Sequence, residues 1–363
     1  MLKLTALFFS VISLGLQTTP AWADYPDKPI RMVIGYAPGG GADNLIRPIA
    51  ERLSKVLGQP IVMEYRAGAG GVIAAELVAR APADGYTLHI TDSGPMTIVP
   101  NMRKTAYNPL TDFTPISMIG GGGTVIVTPP NSPAADLKTM IDLMKQKPGS
   151  WSYGTSGIGG VGHLAGEQFK AAAGVNITHV PYKGGAPAVV ELIGGHVPVL
   201  FSSLGAAAAH IKGGRITPLA VTSAKRSSMF PDTPTLAESG FPGFDASIWF
   251  GIVGPPNLPG SVMAKLVPAL TSVMQEPAVQ EAIRKEGYDP MLYIRRKCRR
   301  KSTRICCDGA RRSRTQTSRL NKRAPTCPKS AHRLPCRAFG FWTFHASGRG
   351  QPVYACWRTL APM

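Results

Sequence analysis

Residues 30–57 read IRMVIGYAPGGGADNLIRPIAERLSKVL, and the order of features in that stretch sets the fold class. Ile30 to Tyr36 is an apolar run of strand length, and Pro38 to Gly41 is a glycine-rich turn. Asn44 to Leu57 places Leu45, Ile49, Leu53 and Leu57 on one helical face. Asp43 stands where an N-cap is expected. A strand that passes through a glycine turn into an amphipathic helix opens a βαβ unit, so the chain reads as α/β.

The unit recurs along the chain. Pro60 to Tyr65 reads as a strand, Ala67 to Gly71 as a second glycine turn, Val72 to Arg80 as a helix and Tyr86 to Asp92 as a third strand, from which Ser93-Gly94 turns away. Thr124 to Thr128 is a further strand, and Pro129, Pro130 and Pro133 after it mark a crossing segment between two domains. Ala135 to Lys147, Gly162 to Ala173 and Ala186 to Ile193 read as helices. Trp151 to Gly154, Val175 to Pro181, Val197 to Ser202 and Ile216 to Thr222 read as strands. Ile248 to Gly254 returns to the first domain. Two helices follow, one with Val262, Leu266, Leu270 and Val273 on a single face and one opened by Pro277 and closed by Gly287. Pro268 costs about 3 kcal/mol inside the first of them unless it kinks, which leaves its continuity open.

The two ends differ from this body. Lys3, the apolar run Leu4 to Leu16 and the Ala21-Trp22-Ala23 pattern read as a secretory signal peptide over residues 1–23, so the mature chain is expected to begin at Asp24 in the periplasm. The formal net charge of the 363 residues is +19. Met1 to Leu292 holds 22 Lys and Arg against 20 Asp and Glu, whereas residues 293–363 hold 18 against 1, so the basic charge belongs to the tail. All six cysteines (Cys298, Cys306, Cys307, Cys327, Cys336 and Cys356) fall there too. A body without cysteines depends on its apolar core in an oxidising compartment, and its length suits two domains.

Three glycine turns, at Pro38 to Asp43, Gly68 to Gly71 and Gly154 to Gly160, each follow a strand and precede a helix. Ligands of open α/β sheets bind there, and helix N-termini suit an anion. A single such turn is explained by backbone geometry alone; three in two domains point to a shared pocket. Gly157, Gly159 and Gly162 spell G-x-G-x-x-G, yet no Asp or Glu lies between Glu167 and Glu191 to bind a ribose, so a dinucleotide site is not expected. Gly154 to Ile158 fails the G-x-S-x-G pattern of a nucleophile elbow, which leaves Ser156 as a ligand contact or a helix cap. His163 is a ligand donor or a local packing group. Arg66 and Lys183 adjoin the turns and could neutralise an anion or face solvent, and Asp92 reads as a turn residue more than a cleft group. No H-e-x-x-H or C-x-x-C spacing supports a metal.

The stretches YAPGGGADNLIRPIAERLSKVLGQPIVMEYRAGAGGVIAAELVARAPADGYTL (residues 36–88), YGTSGIGGVGHLAGEQFKAAAGVNITHVPYKGGAPAVVELIGGHV (153–197) and LAVTSAKRSSMFPDTPTLAESGFPGF (219–244) resemble the Bug-type receptors of tripartite tricarboxylate transporters. The resemblance covers residues 25–291. It implies a two-domain periplasmic-binding-protein (Venus-flytrap) fold with two crossing strands, residues 24–125 with 246–292 forming one domain and 126–245 the other. It implies a receptor, not an enzyme, that closes on a mono- or dicarboxylate or an amino acid and passes it to membrane permease subunits. No cofactor, metal or nucleic-acid partner is expected, and the receptor is expected to be a monomer.

In such receptors the first turn, here with Tyr36, Pro38, Gly39, Gly40 and Asp43, holds a carboxylate through backbone groups and water. The second, here Thr155, Ser156 and Gly157 with His163, contacts the other end of the ligand. Tyr182, Lys183, Gly184, Phe201, Ser202 and Ser203 are further wall positions, and Ser93 is a further candidate contact. Many relatives have Asp where Ser202 stands. The family closes with a helix on the first domain, whereas this chain departs after Met291. The tail at 293–363 is expected to be disordered and out of frame; a nucleic-acid-binding tail and a nicotinamide-dependent enzyme are the alternatives.

Overall fold

The computed structural model describes residues 25–294, and the expectations for the signal segment and for residues 295–363 lie outside them. Residues 30–57 fold into β1 (Ile30–Ile34) and α1 (Gly41–Leu57). β2 (Ile61–Tyr65), α2 (Val72–Ala79) and β3 (Thr87–Asp92) follow, with β1 between β2 and β3 and all three parallel. α1 begins two residues earlier than Asp43, with Gly40 at the cap and no side-chain cap bond. Asp43 therefore sits inside the first turn rather than capping it.

Ser93-Gly94 turns away from β3, and Gly94–Ile98 and α3 (Val99–Met102) continue as helical turns that the sequence reading did not assign. β4 is a 15-residue strand, Thr114–Thr128, of which only the last third was legible. Its first two-thirds pair with β9 (Ser247–Gly254) and β10 (Asp289–Ile294), and its last third with β7 (Val199–Ser203) and β8 (Thr217–Val221), all antiparallel. The first crossing is therefore this continuous strand, not the proline segment after it.

The glycines 120–123 hid β4, because glycine weakens strands and marks close approach. A Cβ on Gly123 would stand 2.4 Å from Ser223 Oγ, and one on Gly121 3.0 Å from the Ile248 carbonyl oxygen.

The second lobe repeats the arrangement of the first. β5 (Trp151–Thr155) lies between β6 (Ile177–Pro181) and β7, all parallel, with α4 (Leu137–Gln146), α5 (Val161–Ala173), α6 (Gly185–Ile193) and α7 (Leu204–Lys212) around the sheet. α7 is a helix that its glycine- and alanine-rich sequence, LGAAAAHIK, did not announce by periodicity. Finally α8 (Gly260–Gln275) and α9 (Pro277–Lys285) cover the first lobe. α8 runs unbroken through Pro268, held by the buried Val262, Leu266, Leu270 and Val273, each worth about 1.5–3 kcal/mol when fully buried. β10 reaches Ile294, so the backbone of the first two residues of the basic tail belongs to the sheet. No helix among the described residues is long and apolar enough to cross a membrane.

Each lobe has core on both sheet faces. In the first, Ile30, Ile34, Leu45, Ile49, Leu266 and Leu270 pack on one side and Val33, Val72, Ala75 and Val78 on the other. In the second, Tyr153, Phe169 and Phe201 pack on one side and Val125, Val189 and Leu192 on the other. Where the chain passes between lobes, the buried Thr222 hydroxyl meets Thr124 Oγ1 at 2.7 Å and the Ala246 carbonyl at 2.9 Å. That node ties together both crossings.

Candidate functional site

The strand-to-helix turns of both lobes face one another across a cleft. α1, α5, α6 and α7 all begin there, behind Gly40, Gly160, Gly184 and Ser203, and none of these residues caps its helix with a side chain. Backbone N–H groups at a helix start carry partial positive charge and lack intrahelical partners. Gly41, Ala42, Val161, Gly162 and Gly185, which open three of these helices, line a single cavity of about 30 Å³ together with Tyr36, Asp92, Ser156 and Ser203. None of the described residues lining it is Lys, Arg or His. A depression of about 470 Å³ beside α4, lined by Asp136, Lys138, Asp142 and Pro234, is larger. It lies on the surface of the second lobe with none of the glycine turns around it, so the cleft is the candidate site.

The first turn is braced from behind. Asp43, 1% exposed, accepts from the Gly39 N–H at 2.8 Å, from the Tyr65 hydroxyl at 2.9 Å and from Arg47 Nη2 at 2.9 Å. Its carboxylate is thereby committed to shaping the loop. Pro38, Gly39 and Gly40 form the loop without lining the cavity, whereas Tyr36 reaches it. Arg66 is paired with Glu64 at 2.7 Å and does not serve the cleft.

The second turn is braced by histidines. Thr155 Oγ1 lies 2.7 Å from His179 Nε2 and accepts from the Gly157 N–H at 3.2 Å. The Gly159 N–H donates to His163 Nδ1 at 3.2 Å, and the rings of His163 and His179 stack at 4.2 Å. Burial and the neighbouring His163 push His179 down to about 4, and burial lowers His163 as well. Both rings are thus neutral near pH 7, as acceptance by His163 Nδ1 requires. Of this group only Ser156 lines the cavity; Thr155, Gly157 and His163 support it from behind.

The remaining positions divide in the same way. Ser203 lines the cavity, while Ser202 Oγ donates to the Ser203 carbonyl at 3.1 Å. Ser93 Oγ accepts from the Trp249 N–H at 3.1 Å and secures β9. Tyr182 is held by its N–H on the Thr155 carbonyl at 3.0 Å, and Lys183 uses its carbonyl, at 3.0 Å from the Ala37 N–H. That last bond joins the lobes, as does Asn44 Nδ2 on the Gly205 carbonyl at 2.7 Å.

Two glycines make the lobes fit. Gly70 has φ +65°, and a Cβ there would stand 2.3 Å from the Ile158 carbonyl oxygen of the opposite lobe; Gly157, φ +138°, lies against Gly70 in turn.

The sequence reading placed Gly41 and Ala42 within the first turn without singling them out, and it missed Gly162 and Gly185 as cavity walls, although each follows directly from the uncapped start of its helix. It also set aside Asp92, which the structure places in the cavity wall.

The family described as the tripartite tricarboxylate transporter family receptor matches residues 45–313. The chain is similar to protein BugT of Bordetella pertussis, with 37% identity over 295 residues, 80% of this chain and 90% of that protein. It is similar in structure to the periplasmic binding protein BugD, with TM-score 0.71 and 35% identity over 74% of this chain and 89% of that one. It is also similar to Rpa4515 of R. palustris with adipate, with TM-score 0.71 and 36% identity over 74% of this chain and 90% of that one.

Proposed function

The chain belongs to the tripartite tricarboxylate transporter receptor family, a family of receptors rather than enzymes, and from that premise we propose that it captures a small carboxylate between its lobes for a membrane permease. One observation carries the reading: uncapped starts of several helices converge on a cavity that, among the described residues, no cationic side chain lines. Such a site suits an anion held by backbone donors. The adipate held by the R. palustris relative supports a carboxylate as that anion. Tyr36, the N–H groups of Gly41 and Ala42, Ser156 and Ser203 are the contacts of this proposal, and the other turn residues set their geometry.

The lobes are assigned as residues 24–125 with 246–292, and 126–245, on the strength of the two crossings at Thr124 and Ala246. Location in the periplasm follows the name of the BugD relative and the N-terminal segment, and the receptor acts as a monomer without cofactor.

A thermal-shift screen of organic acids on the whole protein, with NAD and duplex DNA beside them, tests the reading. A ligand at 100 times its Kd stabilises by about 2.7 kcal/mol. Ser156→Ala is expected to weaken the best acid by about 1–3 kcal/mol, the cost of removing a hydroxyl that bonds a charged group. Unchanged affinity would return Ser156 to a purely local role, and one-to-one binding of NAD in place of any acid would overturn the receptor reading.

A further inference from the structure

Asp92 ends β3 and closes one wall of the cavity, 1% exposed. Its Oδ1 accepts from the Gly94 N–H at 2.6 Å, and the Tyr36 hydroxyl, which donates to the Gly70 carbonyl at 3.2 Å, stands beside its carboxyl. The titratable groups that face it are Tyr36 from the first turn, Tyr107 from the segment after α3 and Tyr288 from the start of β10. Phe250 is its partner across β9, and Thr124, Phe201 and Ser156 complete the walls around it. None of these is a cation. Burial pushes the carboxyl up to about 6, so it is largely ionised near pH 7 and has no countercharge among the described residues.

The cavity therefore presents two opposite demands at close quarters. Its helix starts suit a negative group, and Asp92 suits a positively charged donor. A ligand bearing carboxylates alone would set a second negative charge beside a buried one, which raises the free energy of both. A ligand bearing an ammonium beside its carboxylate meets both demands, because Asp92 and the starts of α1, α5 and α6 line the same cavity.

We propose that Asp92 receives the ammonium group of the ligand, so that this receptor selects α-amino acids over the corresponding plain or hydroxy acids. The proposal rests on the carboxylate reading above.

Calorimetry on the whole protein with matched sets tests it: alanine, lactate and propionate; aspartate, malate and succinate; glutamate, 2-hydroxyglutarate and glutarate. At about pH 7.5 the amino member of the set that binds is expected to bind about tenfold tighter or more than its partners. At about pH 5, where Asp92 is protonated while the ligand keeps its ammonium, the preference is expected to shrink. Asp92→Asn is expected to abolish the preference and to tighten binding of the plain acid. The pH comparison uses the unaltered protein, so it decides the matter even if that variant folds poorly. Equal or tighter binding of the plain or hydroxy acid at about pH 7.5 would overturn the assignment of Asp92 alone. Silence from every member of every set would remove the carboxylate reading, and this proposal with it.

Discussion

Asp43 and Asp92 are both 1% exposed, yet they do opposite things to the fold. Asp43 satisfies three donors and shapes the first turn. Asp92, with a folded pKa of about 6 against an ordinary 3.8, holds its proton more tightly folded than unfolded. Its contribution is thus fully present below pH 3.8 and is lost as pH rises through about 6. Asp92→Asn is expected to stabilise the ligand-free protein at about pH 7.5 by up to about 3 kcal/mol. The gain should fade toward about pH 4, as read by urea melts at the two pH values. His89 has the reverse slope: burial holds it down to about 4, and its Nδ1 lies 2.9 Å from the Val33 carbonyl. Stability from this neutral ring is complete above 6.5 and is lost as pH falls through about 4. The melts must therefore compare variant with parent at each pH.

Among the elements, β4 shows what patterning can and cannot reveal. Thr124 to Thr128 is apolar and was legible, whereas Gly120 to Gly123 has no side chains to alternate. Its strand character comes from tertiary pairing with β9 and β10, which no local window contains. Gly123→Val is expected to cost about 1–3 kcal/mol of stability by crowding the Ser223 backbone at the crossing, measurable as a lower urea midpoint. α7 escaped for a related reason, since its alanines fit any face. The βαβ units with Leu, Ile and Val at regular spacing were legible throughout, including the Pro277 start of α9. At the site, the turns themselves were readable from their glycines. Which residues touch the cavity and which brace it was not, because that depends on partners far apart in sequence, such as Asp43 with Tyr65 and Thr155 with His179.

The molecule as a whole has its lobes in contact, through Ala37 with Lys183, Asn44 with Gly205, and Gly70 against Ile158. A cavity of about 30 Å³ admits a ligand only when the lobes part, so binding entails a hinge at the Thr124–Thr222–Ala246 node. In solution the ligand-free protein is expected to rest with its lobes parted and to close on its ligand, so small-angle scattering is expected to give a smaller radius of gyration with saturating ligand than without. Gly70→Ala should block that contraction and weaken binding, because the added methyl meets the Ile158 carbonyl of the other lobe, and its left-handed φ of +65° should lower stability by about 1–2 kcal/mol, read as a modest fall in the thermal midpoint. A further consequence lies in the order of assembly. The second lobe is continuous between β4 and β9, but the first is completed only by β9, α8, α9 and β10 from the far end of the described chain. As the chain emerges N-terminus first into the compartment where it folds, β3 waits with a bare edge until residues 247–254 arrive, long after its own entry. The half-built first lobe is thus the aggregation-prone species of this protein, the one that chaperones would have to shield while the second lobe is already folded.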